Sequence, residues 1–330
     1  MDIVRIDGDG IGKEVMPPTV ALLDRVTRGG INWIPARMGL ECFEDCGDPL
    51  PQETLDLVRT HKLAIKGPTT TPQGGGFQSV NVRLRRELDL YVGLRPAMSL
   101  GLPGRHERVN IHLFRENTEG LYDSTEALSL DGQSVTLTSH FTRRAMLRLA
   151  RAAFLYARLF DLDTITYVDK QNIHKVWGRL YHGAFLEVAV EFPDISYNHR
   201  LVDAANMFLA LSPESWGLIV TENMFGDILA DHLAAIMGGL GVAPGANIGD
   251  EIFVAEAVHG SWPEKAGNGI ANPTALMLSG AMLLEHMGEM ELAGTIRNAI
   301  IRTLTEGDRT ADLGGTLSTT EFAEAVLRRL

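Results

Sequence analysis

Short β-branched segments alternate with helical segments from the beginning of the chain. Residues 3–6, 31–34 and 63–66 are predicted to form strands, and residues 14–26 and 55–61 are predicted to form helices between them. Strands joined through helices pair in parallel, because the intervening helix carries the chain back to the same end of the sheet. The alternation therefore predicts an α/β protein built on a parallel sheet.

Polar residues follow several of the predicted strands further along the chain. Residues 89–94 and 109–114 are predicted strands, and they are followed by Arg95 and Arg115. Lys170 comes soon after another predicted strand, residues 164–168. Open parallel sheets place their ligands at the carboxyl ends of the strands. We therefore expect these cations to line a ligand site.

Length and composition limit the class of protein. A chain of 330 residues is expected to form two domains. Its formal net charge of −12 disfavours partners such as nucleic acid or an anionic membrane. The two cysteines, Cys42 and Cys46, predict buried or partly buried thiols in a reducing compartment. The sequence has no signal-peptide pattern and no run long enough to span a bilayer, so we expect a cytoplasmic protein.

The glycine turn after the first strand leaves two interpretations open. Its sequence, GDGIG at 8–12, lies between a strand and a helix, as in many nucleotide sites. A dinucleotide fingerprint requires G-x-G-x-x-G, and this turn has G-x-G-x-G. It is either part of a nucleotide site or only a tight turn.

Two carboxylates mark a second candidate site. Asp227 and Asp231 are four residues apart on a predicted helix, so they share one face and could converge on Mg²⁺ or Mn²⁺. The apolar residues between and after them are predicted to pack the other faces of the helix: Ile228, Leu229, Leu233, Ile236 and Met237. A solvated acidic face is the alternative interpretation.

A hydroxyl-rich and glycine-rich segment, residues 67–76, precedes Ser79, Asn81 and Arg85. This composition suits a loop that closes over a ligand, although a structural loop is also possible. Arginines bind carboxylates through paired hydrogen bonds, and a metal held by carboxylates polarises oxygen. Together with Tyr122 and Lys170 as candidate acid and base, the set suits a small polycarboxylate bound to a divalent metal.

At these residues the chain resembles the β-decarboxylating dehydrogenases, the family of isocitrate, isopropylmalate and homoisocitrate dehydrogenases. The matching segments cover nearly the whole chain in order: GDGIG at 8–12, RENTEGLY at 115–122, DKQNIHK at 169–175, GDILAD at 226–231, GVAPGANIG at 241–249 and HGSWPEKAGNGIANP at 259–273. The resemblance implies a two-domain α/β fold that is not of the Rossmann type. It implies a discontinuous large domain, residues 1–92 and 237–330, and a central small domain, residues 93–236. It also implies a homodimer, with a clasp hairpin around residues 128–142.

The resemblance assigns roles to individual residues. It places Ser79, Asn81, Arg85, Arg95 and Arg115 on the substrate, and Asp203, Asp227 and Asp231 on the metal. Tyr122 and Lys170 are the implied proton donor and base, and Lys170 and Asp203 reach into the partner subunit's site. The implied cofactor residues are Ile11, Thr70, Thr71, Asn81, Glu256, His259, Gly260, Glu264, Lys265 and Asn272.

The cofactor expected from the resemblance is NAD. NADP-dependent relatives have a Lys-Tyr pair at the positions of Glu264 and Lys265, and a tyrosine and an arginine at the positions of Ala311 and Gly315. A carboxylate accepts a hydrogen bond from the ribose 2′-hydroxyl and repels a 2′-phosphate. Lys265 could still turn toward a phosphate. Trp262 departs from the family, which usually has alanine there, and either stacks on adenine or caps the loop.

The substrate expected from the resemblance is isocitrate, because Ser79 and Asn81 are poor hosts for an isopropyl group. Homoisocitrate is one methylene longer, and a methylene gives only about 1–3 kcal/mol of discrimination. Isopropylmalate or another 2-hydroxy acid is a further alternative. A non-catalytic regulatory subunit is the rival outside enzymes, although Tyr122, Lys170, Asp227 and Asp231 are all present.

Overall fold

The computed structural model describes residues 1–72, 77 and 79–330, so the predicted loop glycines at 74–76 lie outside the described residues. The strands of the described residues are β1 Asp2–Ile6, β2 Asn32–Ala36, β3 Leu63–Lys66, β4 Val92–Met98, β5 Asn110–Glu116, β6 Thr125–Leu128, β7 Val135–Thr138, β8 Thr164–Asp169, β9 Ser196–Leu201, β10 Leu218–Thr221, β11 Pro244–Ile248 and β12 Phe253–Ala257. Their α-helices are α1 Gly12–Thr27, α2 Leu40–Cys46, α3 Gln52–His61, α4 Val80–Glu87, α5 Arg143–Leu159, α6 Lys175–Ala189, α7 Val202–Leu211, α8 Asn223–Met237, α9 Thr274–His286, α10 Met290–Thr305 and α11 Thr319–Leu327.

One mixed sheet runs through the described part of the molecule, in the order β2-β1-β3-β12-β11-β4-β5-β10-β8-β9. Its two outer portions are parallel, as the βα alternation predicts. The central pairs β12–β11, β11–β4 and β4–β5 are antiparallel. The α/β class predicted from the sequence is confirmed, and the parallel arrangement is interrupted at the centre.

Both faces of the sheet are covered. In β1, Ile3 belongs to one apolar core and the next residue, Val4, belongs to the other, because successive side chains of a strand point to opposite faces. Ile65 and Ala64 divide β3 in the same way. Strands that are buried on both faces have nearly continuous apolar sequences, which made these strands recognisable.

The strands of the two predicted domains occupy the two halves of this sheet. β1, β2, β3, β11 and β12 lie on one side, and β4, β5, β8, β9 and β10 lie on the other. The halves meet where β11 pairs with β4. The division into two domains stays a prediction, since both halves contribute to a single sheet.

The predicted position of Arg95 at a strand end is wrong. β4 continues through Pro96 to Met98, so Arg95 lies in the middle of the strand, opposite Leu113 of β5. A proline removes only one backbone donor, so β4 continues through Pro96, which keeps its pairing with His112. Arg115, by contrast, is the penultimate residue of β5, as predicted.

Several other expectations are corrected. Strand β11 and the short helix α2 were not predicted. Ile228 was expected to pack against the body of the protein, but its side chain is exposed. Cys42 is buried as expected, whereas Cys46 is exposed. No helix among the described residues is long and apolar enough to cross a bilayer.

The GDGIG turn is held between two other loops. Gly8 and Gly10 have φ values of +74° and +54°, which favour glycine. A Cβ atom on Gly10 would lie 2.1 Å from the carbonyl oxygen of Ser261. Between the glycines, the buried Asp9 carboxylate accepts hydrogen bonds from the backbone of Leu40 at 2.9 Å and Thr70 at 2.7 Å. The turn therefore links the loops that follow β3 and β12.

Candidate active site

Helix α8 presents the two predicted metal ligands. Glu222 caps the helix by accepting hydrogen bonds from the backbone nitrogens of Met224 at 3.0 Å and Phe225 at 2.6 Å. Asp227 and Asp231 follow on the same face, one turn apart. The helix itself, and the position of both carboxylates on it, are therefore as the sequence predicts.

Asp227 joins a strand-end arginine to the candidate proton donor. One of its oxygens accepts from Arg115 and the other accepts from the hydroxyl of Tyr122. The Arg115 guanidinium also lies over the Tyr122 ring, 4.8 Å from its centroid. Asn223 Oδ1 accepts from Nε and Nη2 of Arg115 at 3.0 and 2.7 Å, which fixes the plane of the guanidinium.

The charge states of this group follow from burial and from these contacts. Burial alone would raise the pKa of Asp227, but Arg115 and Tyr122 lower it. Burial, and then the hydrogen bond to Asp227, raise the pKa of Tyr122 to about 12. Tyr122 is therefore protonated at neutral pH and can donate a proton.

The donor set suits a divalent cation. Burial, and then the nearby charge of Asp227, raise the pKa of Asp231, which shows that the two carboxylates repel each other. No third carboxylate, histidine or cysteine of the described residues joins them. Mg²⁺ commonly takes one or two carboxylates and completes its shell with water and substrate oxygens. Asp227 and Asp231 are the residues that would hold such an ion.

Buried cations surround Glu256 at the centre of the sheet. Its carboxylate lies 2.8 Å from Lys66 Nζ, 2.7 Å from Arg95 Nη2 and 3.3 Å from Arg85 Nη2. Burial alone would raise the pKa of Glu256, but Lys66, Arg95 and Arg85 hold it well below its usual range. Burial lowers the pKa of Arg95 to about 10, which leaves it charged at neutral pH. With Arg115, four cations face two carboxylates, Glu256 and Asp227, so the cluster has charge left for an anionic ligand.

Donors in this cluster remain available to a ligand. Among the described residues, Arg85 Nε and Asn247 Nδ2 are buried and have no hydrogen-bond partner. The rest of the cluster is held in place, since Arg95 Nη1 donates to the backbone oxygen of Ala246 at 2.9 Å. Asn117 Nδ2 donates to Asn247 Oδ1 at 2.9 Å. A buried donor without an acceptor is costly, so a site of this kind favours a ligand with carboxylate oxygens.

Lys170 and Asp203 form a separate pair. Lys170 follows β8 and Asp203 lies in the first turn of α7, and Lys170 Nζ donates to Asp203 Oδ1 at 2.6 Å. The preceding residue, Asp169, is buried and accepts from His199 Nε2 at 2.8 Å and from the backbone of Gln171 at 3.1 Å. Among the described contacts, this pair does not touch Tyr122 or Asp227. Within one chain, the structure therefore does not bring together all the residues to which the resemblance assigns catalytic and metal-binding roles.

Ser79 and Asn81 lie at the start of α4. Asn81 Oδ1 accepts from the Thr69 hydroxyl at 3.3 Å, which connects the helix to the loop after β3. Ser79 comes immediately before the helix and borders a groove with Phe77 and Arg83. Arg85, one turn beyond Asn81, is the member of this helix that reaches the cation cluster.

A mostly apolar cleft of about 640 Å³ lies beside the GDGIG turn and brings together four predicted cofactor residues, Ile11, His259, Gly260 and Asn272. Burial lowers the pKa of His259, so the ring is neutral at physiological pH. His259 Nε2 is buried and has no partner in the described part of the chain. An apolar cleft with an unsatisfied ring nitrogen fits a nucleotide cofactor.

The other predicted cofactor residues are distributed around this cleft. The Thr70 hydroxyl lies 2.6 Å from that of Ser261, and Thr71 is exposed beside it. Glu264 and Lys265 are exposed on the short turn Pro263–Lys265. Glu256 lies in the cation cluster described above and is not among the residues that line the cleft.

Sequence reasoning missed residues whose role depends on long-range contacts. Lys66 is buried at the end of β3 beside Glu256, and its only signal was its position before Gly67 and Pro68. Asp312 accepts from Asn272 at 3.0 Å, forty residues away in sequence. Nothing local in the sequence around Asp312 indicates that contact.

The family follows from the order and extent of these motifs. Residues 2–326 match the sequence profile of the isocitrate/isopropylmalate dehydrogenases. The chain belongs to the isocitrate/isopropylmalate dehydrogenase family. The chain is thereby placed among the enzymes of the β-decarboxylating dehydrogenase group, which are oxidoreductases. The resemblance identified from the sequence is thereby confirmed.

Individual members of the isocitrate/isopropylmalate dehydrogenase family are similar over nearly the whole chain. A mitochondrial catalytic subunit 5 of isocitrate dehydrogenase [NAD] from Arabidopsis thaliana is 41% identical over 98% of this chain and 87% of its own length. An isocitrate/homoisocitrate dehydrogenase from Thermus thermophilus is 40% identical over 99% of this chain and 98% of its own. The crystal structure of isocitrate dehydrogenase from Methylococcus capsulatus superposes with a TM-score of 0.95 at 40% identity, covering 99% of this chain and 98% of that one.

Proposed function

We propose that this protein oxidises isocitrate and decarboxylates it to 2-oxoglutarate and carbon dioxide, with reduction of NAD, in a reaction that depends on Mg²⁺ or Mn²⁺. The proposal rests on the contacts of Asp227. Its carboxylate accepts hydrogen bonds from Arg115 and Tyr122 beside a buried cluster of cations. That arrangement combines carboxylate recognition, a metal ligand and a proton donor in one place.

The residues of the chain supply binding and proton transfer. Arg85, Arg95 and Arg115 would pair with the substrate carboxylates, since planar guanidinium groups give charge-assisted bonds in a fixed orientation. Lys170 would take the proton of the substrate hydroxyl, with Asp203 directing its ammonium group. Tyr122 is protonated at neutral pH and would give its proton to the carbon that loses carbon dioxide.

Two bound groups would supply the remaining chemistry. A bound divalent ion would supply Lewis-acid polarisation of a substrate oxygen, and a bound dinucleotide would supply the hydride acceptor. Asp227 and Asp231 would hold the ion, with Asp203 of a second copy as the third carboxylate. Burial of the cation cluster keeps water away from the substrate and strengthens every charge interaction there.

Isocitrate is favoured as the substrate by the polar side chains of Ser79 and Asn81 before Arg85. Asn81 is held by Thr69, so its amide is oriented for recognition of a polar arm. Homoisocitrate is the second candidate, because the Thermus thermophilus relative at 40% identity is named for both acids. NAD is favoured over NADP by the carboxylate of Glu264 and by the small residues Ala311 and Gly315.

A homodimer with shared sites is part of the proposal. Lys170 and Asp203 pair with each other and have no described contact with Asp227, which supports a site that a second copy completes. The two-stranded sheet β6–β7 stands apart from the main sheet and exposes Leu128, Leu130, Val135 and Leu137. An isolated hairpin of this kind is at best marginally stable, and pairing with its copy would bury it.

The test is a steady-state comparison with purified protein. Isocitrate, homoisocitrate and isopropylmalate are each supplied with NAD or NADP, with Mg²⁺ or Mn²⁺ and with a chelator. We expect the highest kcat/KM with isocitrate and NAD, and no turnover with the chelator. A preference for NADP overturns the cofactor assignment, and a preference for another acid overturns the substrate. Absence of turnover with all three acids supports the regulatory-subunit alternative.

A further inference from the structure

Trp262 lines the cleft proposed for the dinucleotide, together with Ile11, His259 and Asn272. Of the residue's surface, 46% is exposed. A single exposed tryptophan on a protein surface needs no functional explanation. Trp262 is one of the residues that line an otherwise apolar cleft, and such a position indicates a role in binding.

The backbone that carries Trp262 is firmly anchored. The residue has a φ of +41°, a left-handed conformation that a bulky residue rarely adopts. The buried Ser261 before it accepts a backbone hydrogen bond from Ile11 at 2.8 Å and places its hydroxyl 2.6 Å from that of Thr70. The carbonyl of Trp262 accepts from the backbone of Lys265 at 3.1 Å. Contacts on both sides therefore hold Trp262 in an unfavourable backbone conformation beside the cleft.

The chemistry of the cleft suits a flat heteroaromatic ring with polar edges. Apolar side chains of Ile11, Leu240 and Ile270 provide its walls. Its polar groups include His259 Nε2, which has no partner among the described residues, and the Asn272 amide, which is held by Asp312 at 3.0 Å. Aromatic side chains bind nucleobases by stacking, which does not depend on the base's hydrogen-bonding edge.

We infer that the Trp262 indole stacks on the adenine ring of the bound dinucleotide and so acts as an affinity determinant for its adenylate half. The inference rests on the proposed function for the identity of the ligand. It concerns a residue that carries no part of the hydride or proton transfer. Its effect is therefore on binding of the adenine half and leaves the chemical step unchanged.

The test uses tryptophan fluorescence of the whole protein titrated with AMP, ADP-ribose, NAD and nicotinamide mononucleotide. The chain has four tryptophans, and Trp262 is the one that lines this cleft. We expect AMP, ADP-ribose and NAD to quench the emission, and nicotinamide mononucleotide to leave it unchanged. In Trp262→Leu this quenching should disappear. The Kd for AMP, measured by calorimetric titration of both proteins, should rise about 5- to 150-fold in the variant, the range that corresponds to loss of one stacked base.

Two further variants separate stacking from misfolding. Trp262→Phe keeps an aromatic face and should retain most of the AMP affinity. Trp33→Phe removes a tryptophan outside the cleft and should keep the full ligand-induced quenching. Unchanged AMP affinity in Trp262→Leu, with quenching still present, overturns the inference even if the enzyme turns over isocitrate. Quenching by AMP that depends on Trp262 supports the inference even if no acid is oxidised, so the two proposals fail separately.

Discussion

The hydroxyl of Tyr122 donates a hydrogen bond to Oδ2 of Asp227. The same carboxylate pairs through Oδ1 with Arg115, so a proposed proton donor, metal ligand and substrate-binding residue are joined through one side chain. A change at any of the three is expected to disturb the other two. Substitutions around Asp227 therefore need readouts that distinguish proton transfer, metal binding and substrate binding.

Replacement of the phenolic hydroxyl tests proton donation. Tyr122→Phe should lower kcat by about 10²- to 10⁴-fold, the usual range for loss of a general acid, with a smaller change in KM. The measurement is steady-state NADH formation. Tyr91→Phe is the matched control, because the Tyr91 hydroxyl also donates to a carboxylate, Asp250, at 3.0 Å. Turnover of Tyr122→Phe close to that of Tyr91→Phe would remove Tyr122 from the mechanism.

Mixed dimers test whether the site is shared. Lys170→Met and Tyr122→Phe should each be inactive as homodimers. When equal amounts are unfolded and refolded together, half of the dimers are mixed, and one of the two sites in each mixed dimer has both native residues. Activity should return to about 25% of the native value if Lys170 serves the partner's site. If Lys170 serves the site of its own chain, every site lacks one residue and no activity returns.

The proposed ion should be removable. A chelator should abolish turnover reversibly, and Asp231→Asn should weaken Mn²⁺ binding in the presence of substrate by at least about 100-fold, since even an outer-shell change commonly costs 10- to 100-fold. Calorimetric titration with Mn²⁺ measures the affinity. Asp194→Asn, in a surface pair with Arg158, is the control. Native Mn²⁺ affinity in Asp231→Asn would contradict its assignment as a ligand.

Helix α8 packs closely against Arg115, which predicts a steric effect. A Cβ atom on Gly226 would lie 2.6 Å from Arg115 Cγ. Gly226→Ala should therefore destabilise the fold by about 1–3 kcal/mol and raise KM for the acid, because it displaces a substrate-binding side chain. Gly183→Ala, in helix α6 with open space around it, should instead stabilise by about 0.5–1 kcal/mol. Denaturant unfolding and KM measurements compare the two variants.

The buried histidine His112 predicts the acid sensitivity of the fold. Burial lowers the pKa of His112 from its ordinary 6.5 to about 4, and its Nδ1 lies 3.0 Å from the Tyr156 hydroxyl. The folded state binds this proton more weakly than the unfolded state does. His112 therefore contributes roughly 3 kcal/mol to the free energy of unfolding above pH 6.5. This contribution is lost as the pH falls through about 4.

Unfolding free energies measured between pH 4 and pH 7 test this contribution. Between pH 7 and pH 4, the free energy of unfolding of His112→Gln should fall less than that of the native protein. The slope of this free energy against pH should correspond to up to one proton fewer taken up on unfolding. His140→Gln, the same change on an exposed side chain, is the control. An identical pH dependence in His112→Gln and the native protein would contradict the prediction.

Local patterns account for much of what could be predicted. Strand β3 has the predicted bounds, and the ends of strand β1 and helix α1 lie within two residues of theirs, because apolar spacing of 3.6 or 2 residues is a property of the chain itself. The same periodicity placed Asp227 and Asp231 on one helix face. The predicted burial of Ile228 was wrong, because periodicity indicates only which positions share a helix face. It does not indicate whether solvent or a second molecule lies against that face.

The sequence by itself determined the α/β class, the helix that presents the two aspartates and, through its motifs, the family. Only the tertiary structure decided that Glu256 and Lys66 meet Arg85 and Arg95, that Arg95 lies inside an antiparallel strand, and that Lys170 pairs with Asp203 away from Asp227. The physical reason is that pairing between strands depends on contacts between residues far apart in sequence. Helical and strand periodicity extend over only a few residues, so they cannot specify which strands become neighbours.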